Sequence, residues 1–213
     1  MTYQILKSGS SGNAVVVNDV ILIDCGVDFK TLSAVYKGLK TVLLTHIHSD
    51  HFKKRTIKKL AFERPTLRFA CCEWLVADLI SCGVSKKNID VLEIGKIYDY
   101  KLFKVSPIKL YHNVPNCGYR LYMNGEKALY ATDTGTLDGI EAKGYDLYLI
   151  EANHTEEEIQ ERIRHKEESG EFVYEYEAMK NHLSKERCDE FLLNNMIDGE
   201  YVYLHQHIER GIK

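Results

Sequence analysis

The chain has 213 residues, 45% of them apolar and 28% charged, with a formal net charge of −3. That length and apolar share suffice for one sizeable core and exclude wholesale disorder. The weak negative charge excludes the broad basic footprint by which long nucleic acids are usually held, so any such ligand has to be bound locally. No long apolar run and no basic-then-apolar leader occur, so neither membrane insertion nor export is expected, and a cytoplasmic location follows. The six cysteines show no CxxC spacing, and Cys71 and Cys72 are adjacent. They read as reduced core residues rather than a zinc ribbon or a disulfide framework.

In chain order, "NAVVV" and "VILID" are short β-type runs around a turn at Asn18-Asp19. Phe29, Leu32, Val35, Tyr36 and Leu39 then recur at helical spacing and predict a helix with one face to bury. The strand "TVLLT" follows, then "HIHSDH" and a helix-like basic stretch, "KKRTIKK". Beyond the strand "LRFA", Trp74, Leu75, Leu79 and Ile80 predict a second helix. "LFKVSPIKLYH", "GYRLYM", "KALYATD" and "YDLYLIEA" read as four further strands. "TEEEIQERIRHKEESGE" predicts a charged helix anchored only by Ile159 and Ile163, with His165 exposed on it. Ser184 caps a last helix whose Cys188, Phe191 and Leu192 form a stripe, before the final strand "EYVYLH". Three prolines, no repeat and no low-complexity tract leave no linker. The expectation is a single α/β (α+β) domain over residues 1–213.

Chemistry concentrates at "HIHSDH". His46 and His48 lie two residues apart just past a strand, so in extended chain their imidazoles point to one side and can share a metal ion. Asp50 and His51 follow where the chain turns and offer ligands from another direction, so one loop can feed two adjacent ions. Imidazole and carboxylate without thiolate suit zinc, with manganese, iron or nickel as alternatives. His112, Asp133 and His205 each fall at the end of a strand, where a site grafted onto a sheet edge places its residues.

The order of Asp24 after "ILI", then "THIHSDH", His112, "TDTG" and a histidine after the last strand resembles the metallo-β-lactamase superfamily of binuclear metal hydrolases. The resemblance runs over nearly the whole chain. Within it, "SGSSGNA", "IDCG", "IEANH" and "NHLS" are similar to the YycJ-type bacterial and phage proteins, a family associated with DNA exonuclease activity. The resemblance implies a four-layer αββα sandwich with two divalent metal ions at one edge, between the sheets. His46, His48 and His112 would hold one ion, Asp50, His51 and His205 the other, and Asp133 would bridge them. Asp24 would orient a ligand histidine, although a turn aspartate in "DCG" is an alternative. "LHQHIE" departs from the family's "HLS"-like ending. His205 is chosen over His207 because it aligns without a gap and directly follows the strand.

"NHLS" also departs slightly from the usual Gly-His pair. In the related tRNase Z proteins a histidine in an "HST" or "HLT" element is implicated in protonating the leaving group, so His182 is the candidate general acid, with Asp50 as the second catalytic residue. A helix-capping histidine before Ser184 is the alternative for His182. In "IEANH", similar to the family's "ESNH", His154 either reaches substrate or is a satisfied structural histidine. "SGSSGN" offers backbone donors to a phosphate or simply a turn. The cations of "KKRTIKK" either guide a phosphate or form a helix's wet face.

Two divalent ions outweigh Asp50 and Asp133 in charge, so the expected substrate is anionic, single-stranded DNA or nucleotides among the candidates. The expected reaction is phosphodiester hydrolysis by a hydroxide bridging the ions. A small-molecule hydrolase acting on a cyclic nucleotide, a thioester or a lactone is the alternative, and a metal-poor binding protein is a third class that the full ligand set disfavours. His51 after Asp50 and the missing export signal argue against an antibiotic-degrading enzyme. The short interval from Asp133 to His205 leaves no room for the large domain inserted in β-CASP nucleases. The absence of a long basic, Gly-rich arm argues against a tRNA-specific role.

Overall fold

The computed structural model describes residues 1–206. Twelve strands form two six-stranded sheets. The first contains β1 (Tyr3–Lys7), β2 (Ala14–Val17), β3 (Ile21–Ile23), β4 (Thr41–Leu44), β5 (Arg68–Cys72) and β6 (Ile89–Leu92), adjacent in that order. The second contains β7 (Tyr98–Asp99), β8 (Lys104–Leu110), β9 (Asn116–Met123), β10 (Glu126–Ala131), β11 (Leu147–Glu151) and β12 (Glu200–Leu204), again in sequence order. In each sheet, strands joined by tight turns are antiparallel. From β3 to β6, and from β10 to β12, they run parallel across longer crossovers.

Alternation along the central strands builds the layers. Val15, Val17, Ile21, Ile23, Leu43 and Ala70 point between the sheets, where they meet Val105, Tyr119, Leu121, Tyr130 and Leu149 of the second sheet. Their neighbours Val16, Leu22, Val42, Leu44 and Phe69 point the other way. They cover helices α1 (Lys54–Glu63) and α2 (Val76–Ser81) through Ile57, Leu60 and Leu79. The outer face of the second sheet, with Leu129, Tyr148 and Ile150, packs on Cys188, Phe191 and Leu192 of the last helix. Strands buried on both faces read as continuous apolar runs, which is why "AVVV", "TVLL" and "LYLIE" are so legible. The result is the expected αββα sandwich. Two helices precede the last along the chain: α3 (Glu156–Ser169), closed by a capping box at Thr155 and Glu158, and the short α4 (Glu175–Asn181). The last, α5 (Lys185–Asn195), is capped by Ser184 as its sequence predicts.

The expected helix through Phe29 and Leu39 is not an α-helix. The segment closes mainly through i→i+3 bonds, from Leu32 N to Phe29 O and from Val35 N to Leu32 O among others. Phe29, Leu32 and Val35 are spaced by three, which matches three residues per turn rather than 3.6. Leu32 and Leu39 are fully buried there, so the periodicity identified the right face with the wrong helix type. The second expected helix begins as a 3₁₀ turn at Glu73–Leu75, and Ile80 lies outside its buried face at 39% exposure. Strands β1, β6 and β7 were not legible because they are edge or near-edge strands of mixed polarity. All six cysteines are free and buried. Among the described residues, no helix is long and apolar enough to cross a membrane.

Candidate metal centre

Four ligand candidates come from the loop that follows β4. His48 O accepts bonds from His51 N (2.9 Å) and Phe52 N (2.7 Å), so the chain reverses within "HSDHF" and aims Asp50 and His51 back at His46 and His48. The turn is clamped from outside: Asn13 N donates to Asp50 O (2.6 Å), and Cys25 N donates to His51 O (2.8 Å). Gly26 permits this clamp, since a Cβ there would lie 1.6 Å from Asp50 O. Ends of β-type runs supply the rest, His112 after β8, Asp133 after β10 and His205 after β12. Asp24 (φ 59°), Asp133 (φ 57°) and His205 (φ 51°) all adopt left-handed backbone. Aspartate and histidine bear that conformation better than most non-glycine residues, and it recurs where a site fixes side-chain direction.

The side chains converge into overlapping groups whose candidate ligand atoms lie within 4.8 Å of one another: His46, His48 and His112; Asp50, His51 and His205; and His46, His51 and Asp133. The structure therefore brings together all seven residues expected as ligands, with Asp133 reached by both halves. His51 Nε2 faces Asp133 Oδ2 at 2.9 Å, and His205 Nε2 lies 3.4 Å from Asp50 Oδ2 and 3.5 Å from Asp133 Oδ1. His207 lies outside the described residues.

The distal ring nitrogens of His46, His51 and His112 are held. His51 Nδ1 donates to Asp24 Oδ2 at 2.7 Å, His112 Nδ1 donates to Asn181 O at 3.0 Å, and His46 Nδ1 lies 3.0 Å from Thr45 Oγ1. Asp24 is fully buried and saturated, accepting also from Thr45 N (3.0 Å), Thr45 Oγ1 (2.9 Å) and Tyr130 OH (3.1 Å). Such outer partners fix tautomer and ring direction in metal sites.

Two buried atoms of the cluster make no hydrogen bond, His46 Nε2 and Asp133 Oδ2, the latter although His51 Nε2 lies 2.9 Å away. Buried polar atoms are ordinarily paired. Here, facing other imidazole and carboxylate donors, they fit divalent cations: the donor set is that of a borderline ion, and the orphaned atoms are the ones an ion would engage.

Electrostatics agree. Burial and the neighbouring His51 push the His46 pKa far down, and burial likewise lowers that of His112, so both stay neutral and able to ligate. Burial works against protonation of His51 and His205, but Asp133 and Asp24 raise the former well above its ordinary value, and Asp133, Asp50 and Glu151 raise the latter to about 10. Burial also disfavours the Asp133 and Asp50 carboxylates. His51 and His205 nonetheless hold Asp133 well below the usual range, and they hold Asp50 below it as well. Without ions the carboxylates draw protons onto the rings.

Beside this cluster stands His182, at the end of α4. Its Nδ1 is 2.7 Å from Glu151 Oε1, and its ring stacks on His205 at 5.3 Å and 9°. Burial opposes its protonation, but Glu151 raises its pKa above the ordinary value. His182 shares with His48, Asp50 and His112 a cleft of about 280 Å³, whose rim includes Ser10 and Tyr174. Gly135 lets the α4 terminus close on the site, since a Cβ there would lie 2.0 Å from Lys180 O.

His154 is not part of the cluster. It is buried, its Nδ1 lies 3.3 Å from Asn153 Oδ1, and it lines an adjoining cavity of about 400 Å³ with His182 and Arg187. "SGSSGN" is built into the scaffold: Ser8 Oγ accepts from His205 N (2.7 Å), and Asn13 Nδ2 reaches His51 Nε2 (2.8 Å).

Sequence reasoning missed Glu151. Fully buried, its Oε2 accepts from Thr134 N (3.0 Å) and Leu183 N (3.2 Å), while its Oε1 holds His182 and, at 3.2 Å, His205 Nδ1. An acidic residue ending the apolar run "LYLIE" was the available signal. Asn13 and Tyr130 were missed as well.

Fold and site together define a metallo-β-lactamase sandwich. Residues 20–183 match the Beta-lactamase superfamily domain, and the chain belongs to that family. It is 23% identical over 167 residues to the exodeoxyribonuclease YycJ of Bacillus anthracis, a match covering 71% of this chain but only 62% of that protein's length. Among solved structures it resembles the metallo-β-lactamase fold protein YhfI from Bacillus subtilis, with a TM-score of 0.72, 15% identity and coverage of 96% of this chain and 85% of that one. The short form of human tRNase Z gives 0.69, at 16% identity and coverage of 97% and 93%. Zinc-bound PqqB from Methylobacterium extorquens gives 0.72, at 13% identity and coverage of 97% and 89%.

Proposed function

We propose that the protein is a binuclear metal-dependent phosphodiesterase acting as a DNA exonuclease. His46, His48 and His112 would hold one ion and Asp50, His51 and His205 the second, with Asp133 within reach of both groups and zinc or manganese as the ions. When bound, such a pair makes a nucleophile of water at neutral pH and neutralises charge on a phosphoryl group. Asp50, kept anionic by its histidine neighbours and partly exposed to the cleft, accepts a hydrogen bond from the attacking water and orients it. His182 has Nδ1 committed to Glu151 and so presents Nε2 to the leaving oxygen, carrying the proton that Glu151 stabilises. Glu151 positions His182 and His205 together. Asp24 holds His51 in the direction a ligand needs.

The observation that carries this reading is the Glu151–His182 pair set at the rim of a seven-ligand cluster. A proton donor there matters when the departing group is a sugar oxygen. The similarity to the B. anthracis exodeoxyribonuclease and to tRNase Z supports the same substrate class.

The test sets single-stranded DNA, a cyclic nucleotide, a thioester and a lactone side by side with metal-loaded protein. Release of nucleotides from DNA, abolished by chelator and restored by metal, is expected. Efficient thioester or lactone cleavage with every phosphodiester untouched would replace this reading by the small-molecule one.

A further inference from the structure

The basic segment after His51 forms a groove that the proposed chemistry leaves unused. Helix α1 buries Thr56, Ile57 and Leu60 against the first sheet and so turns Arg55, Lys58, Lys59 and Phe62 outward. With Asp28 and Phe29, from the turn segment after β3, they enclose a groove of about 580 Å³. Phe62 is 78% exposed, and the Lys59 ammonium lies 5.7 Å from the ring centroids of both Phe29 and Phe62. One cation of the groove, Lys59, thus sits against both of its aromatic rings.

Its charge opposes that of the chain. Lys53, Lys54 and Lys59 pair with Asp28 (3.0 Å), Asp78 (2.7 Å) and Glu63 (2.5 Å). These pairs are solvent-exposed, contribute little and exchange partners readily. Arg55 and Lys58 have no carboxylate partner among the described residues, so the groove is net positive on a chain of net charge −3. Both walls rise from the frame of the metal loop: Cys25 N donates to His51 O (2.8 Å) and Lys53 N to Cys25 O (3.0 Å).

Phosphates on cations with unpaired bases on aromatic faces is the chemistry of single-strand binding. An acidic peptide would use the cations and have no need of Phe62. A duplex hides its base faces. We propose that this groove, on the helix that follows the metal loop, is a docking track for single-stranded DNA, with phosphates on Arg55 and Lys58 and a base stacked on Phe62. The proposal rests on the nuclease reading, whose substrate it extends to the strand beyond the scissile bond.

The test is fluorescence anisotropy of a labelled oligothymidylate with the full chain in chelator, where no turnover occurs, across a salt series. Arg55→Ala/Lys58→Ala should weaken binding and reduce the salt slope by about 0.7 for each phosphate that is no longer neutralised. Phe62→Ala should weaken it at least about fivefold, the lower end of a lost base stack, and leave binding of a duplex unchanged. Circular dichroism should show native folding in both variants. If the metal-loaded wild type hydrolyses no phosphodiester yet shows this binding pattern, the groove stands and the nuclease reading fails. Unchanged affinity and slope in correctly folded variants, equal loss on the duplex with Phe62→Ala, or competition by polyglutamate as effective as by the oligonucleotide would each overturn the groove.

Discussion

Replacing His182 by Ala separates proton donation from metal binding. His182 has its Nδ1 tied to Glu151 at 2.7 Å, so only Nε2 can serve the cleft, and among the described residues no other ring at the rim has a carboxylate partner without also being an expected ligand. Losing a general acid typically costs about 10²–10⁴ in rate, or roughly 2.7–5.4 kcal/mol of barrier. That loss should appear in full on a nucleotide ester whose leaving group is an alkoxide. It should shrink to less than about tenfold on an aryl ester, whose phenolate departs without a proton.

The fold should tolerate the change, because Glu151 keeps its bonds from Thr134 N, Leu183 N and His205. Metal content is the control. His182 does approach Asp133, Glu151 and His205 closely enough to suggest a further ligand group. Its nearest nitrogen, however, already bonds Glu151, so the variant should retain its ions. The assay is kcat/KM on the paired esters with elemental analysis of the same preparations. Equal losses on both esters at full metal content would refute the reasoning and leave His182 as a residue that positions the loop after α4.

Asp133→Ala removes the carboxylate that lies within reach of both ligand triads, so elemental analysis should fall from close to two ions per chain toward none, with turnover of every substrate lost. Asp24→Asn cannot keep all of the bonds that Thr45, His51 and Tyr130 donate, and the metal affinity measured by chelator competition should drop about 10–100-fold, the usual cost of removing such an outer partner. Metal loading should release protons and tighten as pH rises from neutrality, since the neighbouring carboxylates favour protonation of His51 and His205 when no ion is bound; calorimetry in buffers of different ionisation enthalpy reads this, and no proton release would contradict it. The His205 pKa is raised in the fold, so its contribution to metal-free stability is complete below its unfolded value near 6.5 and is lost as pH rises through about 10. The melting temperature of the chelated protein should fall there, while that of the metal-loaded protein does not follow.

Much of this protein was legible in the order of its residues. His46, His48, Asp50 and His51 lie within six residues, so one reversal of the chain, clamped by Asn13 and Cys25, brings them to a common point. His112, Asp133 and His205 could be placed because apolar runs mark where strands end, and strand ends share an edge in a layered sheet. Buried strands announced the sandwich through unbroken apolar runs, and Ser184 announced its helix through capping chemistry. Other features depended on tertiary packing. Glu151 ends an ordinary apolar strand, and only the parallel pairing of β11 between β10 and β12 sets its carboxylate against two histidines distant in sequence. Asn13 gained its part because a turn after β1 folds back on the Asp50 backbone. The Phe29–Leu39 segment showed the right buried face, but its period could not separate an α-helix from a chain of 3₁₀ turns. Ligands close in sequence, or at strand ends, follow from local stereochemistry; the groups that hold them in place come from strands paired across long crossovers, and their proximity exists only once both sheets have assembled.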